Sequence, residues 1–261
     1  MRLFDRWRAR RDEASVNRER LDTLTRAIED LSRAAHGHAE WLAGLEERLG
    51  ALEQARRADG SRPERCLAER DDIPHRVEGY AVLLELLPPG PDRVLDLGTG
   101  DGHLLALVRA ARPGIAGVGV DYSAEMLRRA QTRFEGVDGV QIAHHDLDNP
   151  MPSALGRFDL VVSSFAIHHL VDERKRALYA GVFDVLEAGG TFLNLERVAS
   201  PTPELHAAYI AAAGKQPTDE DPSNKLLDVD TQLGWLRAIG YVDVDCYWKW
   251  RELALFGGIK P

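Results

Sequence analysis

Hydrophobic positions follow two regimes along the chain. Between residues 21 and 52, Leu21, Leu24, Ile28, Leu31, Ala35, His38, Leu42, Leu45, Leu49 and Leu52 recur in alternating steps of three and four. This a/d spacing predicts a helical, coiled-coil-like arm that pairs with a second copy or folds back on its own chain. Gly37 and Gly44 weaken the helix, and the flanking positions are mostly Ala, Thr and Ser rather than paired charges. The polar stretch "EQARRADGSRPER", with Gly60 and Pro63, marks a boundary. The expected organisation is an arm over 1–60 and a globular domain over 61–261.

Beyond residue 70 the pattern changes to strands alternating with helices. "IPHRVEGYAVLLELL" predicts a helix and "RVLDL" a strand, and "LLALV" resumes helical spacing. "GIAGVGV", "VQIAHH", "FDLVVSSFAI" and "TFLNLERV" predict further strands. Helices are expected over "AEMLRRAQTRFEG" and over "DERKRALYAGVFDVLEAGG", the latter ending in glycine. Alternation of this kind means an α/β fold with a parallel sheet and helices on both faces. "VDVDCYWKW" and "LALFGGIKP" are joined by a short turn, so they must pair antiparallel. The acidic segment 198–232 inserts before them as an expected helical lid.

Composition narrows the function. The net charge of −9 argues against a strongly basic nucleic-acid binder. Five arginines among the first eleven residues, with Leu3, Phe4 and Trp7, read best as a solvated end. Two cysteines make no disulfide framework, which favours a reducing, cytoplasmic setting. No apolar run has the length of a membrane span, and the N-terminus lacks the apolar region of a signal peptide.

In an open α/β sheet, ligands bind at the carboxyl ends of the strands. After the first strand stands "DLGTGDG", a glycine-rich turn into a helix. His103 occupies the place of the third glycine of a dinucleotide fingerprint, which counts against NAD. After the second strand, Asp121 is placed to accept from ribose hydroxyls, since Ser123 is the better cap for the next helix. After the third, Asp146 can accept from the exocyclic amine of a base and the backbone N–H of Leu147 can donate to a ring nitrogen.

Taken in order, "VLDLGTGDG", "GVDYSAEML", "HHDLDNPMP", "FDLVVSSFAIHHL", "LEAGGTFLNLERV" and "LALFGGIKP" resemble the class I S-adenosylmethionine-dependent methyltransferases. The resemblance covers about residues 70–261 and implies a Rossmann-like seven-stranded sheet whose last strand is antiparallel. It implies that Asp96, Gly98, Gly100 and Gly102 surround the methionine portion of S-adenosylmethionine. It further implies Asp121 at the ribose, Tyr122, Asp146 and Leu147 at the adenine, and Ser163 near the amino-acid end. Arg76 and Tyr80, on the helix before the first strand, are secondary candidates for covering the cofactor.

Methyl transfer needs alignment and exclusion of water, with a base only when the nucleophile arrives protonated. His168 and His169, past the fourth strand, and Glu196, past the fifth, are the catalytic candidates. A packing role for either histidine, and an ion pair of Glu196 with Arg197, are the alternatives. His144, His145, His168 and His169, beside Asp146 and Asp148, invite a metal site, but adjacent residues on a strand point to opposite faces, so at most one of each pair faces a common site, and none is assigned. The acceptor is expected to be a small molecule, with Asn224, Lys225 and Asp228 as candidate contacts and Tyr209 and Trp235 as core or pocket wall. Two other readings stand. "CYWKWRELALFGGIKP" is similar to the ends of proteins that build a carboxylated S-adenosylmethionine for tRNA modification. A partner-binding protein with a vestigial site is the other, against which the intact motifs argue.

Overall fold

The computed structural model describes residues 73–261 apart from Pro217 and Asp219. The predicted arm, its pairing and the boundary at 53–65 lie outside the described residues. Strand β1 (Arg93–Leu97) pairs in parallel with both β2 (Ala116–Asp121) and β4 (Phe158–Ser164). Val94, Leu95 and Leu97 are fully buried, as a strand covered on both faces requires. β3 (Val140–His144) joins β2, and β5 (Leu186–Arg197) joins β4, again in parallel. β7 (Leu253–Ile259) inserts antiparallel between β5 and β6 (Val242–Trp250). The seven-stranded order is β3-β2-β1-β4-β5-β7-β6.

Helices α1 (Arg76–Glu85), α2 (His103–Ala111), α3 (Ala124–Arg133), α4 (Asp172–Val185), α5 (Pro203–Ala212) and α6 (Val229–Ile239) surround the sheet. Leu104, Leu105, Leu107 and Val108 bury the inner face of α2, and Leu178, Tyr179 and Val182 that of α4. Ser123 caps α3 by accepting from the Met126 N–H at 3.4 Å, and Asp228 caps α6 by accepting from the Thr231 N–H at 2.8 Å.

One predicted helix gives up its C-terminal end to a strand. α4 ends at Val185, and "LEAGG" belongs to β5. Leu186 is fully buried and pairs with Phe158. Gly189 N–H donates to the Lys260 carbonyl at 2.8 Å, and Lys260 N–H to the Gly190 carbonyl at 2.9 Å. Sheet bonding to the end of β7 therefore claims residues that local propensity leaves undecided, and the pairing with β4 is irregular there.

Candidate active site

The carboxyl ends of β1 to β4 open on a cavity of about 780 Å³. Its floor is the turn from β1 into α2. Gly98 has a φ of +67°, and a Cβ there would stand 2.2 Å from Ala166 Cβ. Only glycine lets the turn after β4 lie this close. Gly100, φ +55°, has nothing among the described residues within 4 Å of its missing Cβ, so the turn is bare of them where it lines the cavity. Gly102 is the N-cap of α2 and lies against Phe134.

Two carboxylates define this floor. Asp121 is 8% exposed. Its Oδ2 accepts from the Gly100 N–H at 2.9 Å and its Oδ1 from the Ser123 N–H at 2.8 Å. It thus ties the β1 turn to the β2 turn. Asp96 is buried in β1, where its Oδ2 accepts from the Thr99 hydroxyl at 2.7 Å. Its Oδ1 makes no full hydrogen bond among the described residues. Burial pushes the Asp96 carboxyl up to about 7. The Thr99 hydroxyl and the Leu105 backbone N–H pull it down, and the Asp121 charge adds to the rise.

At the end of β3, Asp146 and Leu147 both line the cavity. Asp146 Oδ1 accepts from the Asp148 N–H at 3.0 Å, and the Leu147 carbonyl accepts from Arg174 Nε at 2.6 Å. Arg174, on α4, braces this turn, and nothing in the sequence singled it out. Tyr122 also lines the cavity and is 71% exposed.

Ser163 does not line the cavity. Its hydroxyl is buried and donates to the Leu97 carbonyl at 2.9 Å. Ser164 takes the cavity side instead, and its Oγ lies 3.0 Å from the Tyr80 hydroxyl. Arg76 Nε and Nη2 donate to that same hydroxyl at 2.9 and 2.6 Å. The Arg76 guanidinium also lies 4.9 Å from the centre of the Phe165 ring. Phe165 has a φ of +53° and is held by its N–H donating to the Leu195 carbonyl at 2.9 Å. A non-glycine residue in this region is strained, and such strain gathers at functional sites.

The three catalytic candidates separate. His169 lines the cavity, with Nδ1 2.9 Å from Ser223 Oγ. Burial and the neighbouring His168 lower its pKa, against the raising influence of Asp221 and Glu196. His168 and Glu196 lie behind it as a buried pair, outside the cavity lining. His168 Nδ1 is 2.5 Å from Glu196 Oε1, and the His168 N–H donates to Glu196 Oε2 at 3.0 Å. The two histidine rings are 4.0 Å apart. Glu196 therefore braces the turn that carries His169.

Among the other candidates, Asp228 is a helix cap, and Lys225 donates through Nζ to the His169 carbonyl at 2.7 Å. Asn224 donates its N–H to the Asp221 carbonyl at 3.1 Å. Tyr209 and Trp235 belong to hydrophobic clusters and do not line the cavity. Asp221 and Ser223 do line it and were not picked out from the sequence. Among the described residues no group of three or more His, Cys, Asp or Glu could hold a metal ion. No described helix is long and apolar enough to cross a membrane.

Residues 94–190 match the family model described as a methyltransferase domain. The chain is 38% identical over 128 residues to an uncharacterized methyltransferase of Mycobacterium tuberculosis, covering 48% of this chain and 60% of that protein. It is 32% identical over 124 residues to a demethylmenaquinone methyltransferase of Thermus thermophilus, covering 47% and 55%. The chain thus spans little more than half the length of these curated relatives. Its fold is similar to that of an O-methyltransferase family protein from Burkholderia thailandensis, with a TM-score of 0.59 at 18% identity, covering 86% of this chain and 70% of that one. Residues 94–190 thus match a methyltransferase domain, and the sheet that holds them is similar in fold to that of a solved O-methyltransferase family protein.

Proposed function

We propose that this protein transfers a methyl group from S-adenosylmethionine to a small-molecule acceptor. One observation carries the reading. The bare Gly100 turn, tied down by Asp121, lies in the same cavity as Asp96, whose buried Oδ1 lacks a full hydrogen bond. An ammonium or hydroxyl group of a ligand would satisfy that oxygen.

S-adenosylmethionine supplies a methyl group activated by its sulfonium. Asp96 and the turn from Gly98 to Gly102 would hold its amino-acid portion, with Arg76 as a cation beside it. Asp121 would hold the ribose, Asp146 and Leu147 the adenine, and Tyr122 would cover it. Among the described residues six aspartates line the cavity, and Arg76 is the one arginine. That balance favours a neutral or cationic small acceptor over a nucleic acid, whose phosphates it repels. The demethylmenaquinone named for the Thermus relative is an acceptor of that size class. The heptad pattern supports pairing of two copies through residues 1–60, and the low cysteine content supports a cytoplasmic setting.

Calorimetric titration tests the cofactor assignment. S-adenosylmethionine is expected to bind and NAD not to. Asp121→Ala should weaken binding by about tenfold or more, since it removes both the anchor of the turn and an acceptor for hydroxyls. Absence of S-adenosylmethionine binding to the intact protein would overturn the reading.

His169 is the base in this scheme when the acceptor carries a proton. With Nδ1–H donating to Ser223, Nε2 keeps its lone pair for that proton. Its lowered pKa keeps it neutral at pH 7, so turnover should decline only as pH falls below about 6.5, the ordinary histidine value. His169→Ala is expected to lower kcat by about 10²- to 10⁴-fold and to abolish that acid limb, with S-adenosylmethionine affinity unchanged. A retained limb in the variant would assign the proton elsewhere.

A further inference from the structure

Next in sequence to Asp221, which lines the cavity, Glu220 joins Glu252 in contacts with Arg197 and His206. Glu252, just before β7, is fully buried. Its Oε1 accepts from the Ser200 hydroxyl at 2.7 Å and lies 2.7 Å from His206 Nδ1. Its Oε2 accepts from Arg197 Nη2 at 3.0 Å. Glu220 meets the same two partners. Its Oε1 accepts from Arg197 Nη2, and its Oε2 lies 2.8 Å from His206 Nε2.

Both ring nitrogens of His206 thus face carboxylate oxygens. A neutral imidazole has one N–H, so one of the two contacts would set lone pair against lone pair. Only the imidazolium satisfies both. With it, the quartet of Arg197, His206, Glu220 and Glu252 is neutral. Without it, one uncompensated negative charge remains around a buried carboxylate, which is unfavourable in a low-dielectric setting. Tyr209 covers the Arg197 guanidinium at 5.1 Å, and its phenol is pushed up by burial and stays neutral. Arg251 also approaches α5, donating to the Ala208 carbonyl at 2.8 Å. The hydrogen bond to Glu252 leads the causes that hold His206 above the ordinary histidine range.

Glu220 opens a short run that ends on the catalytic turn. Asp221 Oδ1 accepts from the Ser223 N–H at 2.8 Å. Ser223 Oγ contacts His169 Nδ1, and the Lys225 N–H donates to the His168 carbonyl at 2.8 Å. The run is pinned to the histidine turn at one end and to the quartet at the other.

We propose that His206, as the imidazolium, is a positioning residue. By clamping Glu220 to Glu252 it holds residues 220–225 against His169, and so sets the acceptor side of the site. The proposal rests on the methyltransferase reading for its functional meaning. Because the His206 pKa is raised, the clamp is complete below the ordinary histidine value and is lost as pH rises through the elevated one.

Hydrogen exchange across residues 220–226 of the full chain, from pH 6 to 9 and corrected for intrinsic rates, tests this. Protection in the wild type should fall by about tenfold as His206 loses its proton. His206→Gln should be poorly protected at every pH. His206→Arg, which keeps a cation and two donors, should be protected throughout. Wild-type protection that does not change with pH overturns the proposal, and so does His206→Gln protected like the wild type. The wild-type series decides even if the glutamine variant folds poorly. S-adenosylmethionine titration of the same samples separates the two levels. Binding alike in all three at a given pH leaves the exchange data to judge the clamp. Absence of binding in all three overturns the methyltransferase reading and, with it, the functional role given to the clamp.

Discussion

Gly98→Ala is expected to destabilise the protein by about 3 kcal/mol and to remove S-adenosylmethionine binding. Two effects act together. A non-glycine residue at φ +67° is strained by about 1–2 kcal/mol. The new Cβ would also stand 2.2 Å from Ala166 Cβ, and overpacking of this kind costs about 1–3 kcal/mol. For a domain of this size the midpoint of thermal unfolding should fall by roughly 6–12 °C. Gly100→Ala provides the contrast. Its φ is +55°, but nothing among the described residues stands within 4 Å of its missing Cβ. It should lose only the backbone strain of about 1 kcal/mol, yet weaken the cofactor, because the methyl group projects into open space at the cavity. Thermal unfolding and calorimetry on the two variants check this. Equal thermal losses would mean that the Ala166 contact does not govern the turn.

Asp96 is expected to make cofactor affinity steeply dependent on pH. Its carboxyl, pushed up to about 7 by burial, is largely protonated at pH 6 when no ligand is bound. An ammonium group brought beside it favours the ionised form, so binding should release a proton. Affinity should rise about tenfold per pH unit below 7 and level off above it. At pH 7 about half a proton should leave per ligand bound, measurable by calorimetry in buffers of different ionisation enthalpy. Asp96→Asn should bind weakly and without this pH dependence. Stability has the opposite sign. A carboxyl raised above its unfolded value contributes stability that is fully present below that unfolded value, near pH 4, and lost as pH rises through about 7. The ligand-free protein should therefore lose thermal stability toward neutral pH, and Asp96→Asn should not. Affinity independent of pH between 5 and 8 would place the ligand's cation elsewhere.

The residues proposed to hold the cofactor were legible as cavity residues because they follow strands in fixed order. Gly98, Gly100, Asp121, Asp146 and Leu147 all stand where a parallel strand ends, and the structure brings them all to one cavity. Parity failed on β4. Leu160 to Ser163 are all buried, so alternation there cannot tell which serine faces the cavity, and Ser164 rather than Ser163 does. The same limit hid the split between His169, at the cavity, and the buried pair of His168 and Glu196. Asp96 was identifiable as a strand-end acid, but its raised pKa depends on burial that the sequence does not show.

The sequence by itself determined the alternation of strands and helices, the glycine turn and the acids after β2 and β3. These rest on local backbone preference and on short-range spacing of apolar residues. Only the tertiary structure decided where α4 yields to β5, because Leu186 and Gly189 take partners from β4 and β7. Only the tertiary structure brought Arg197, His206, Glu220 and Glu252 together. Their contacts cross from the end of β5 through α5 to the entry of β7, and such contacts arise from the order of strands in the sheet rather than from any spacing along the chain.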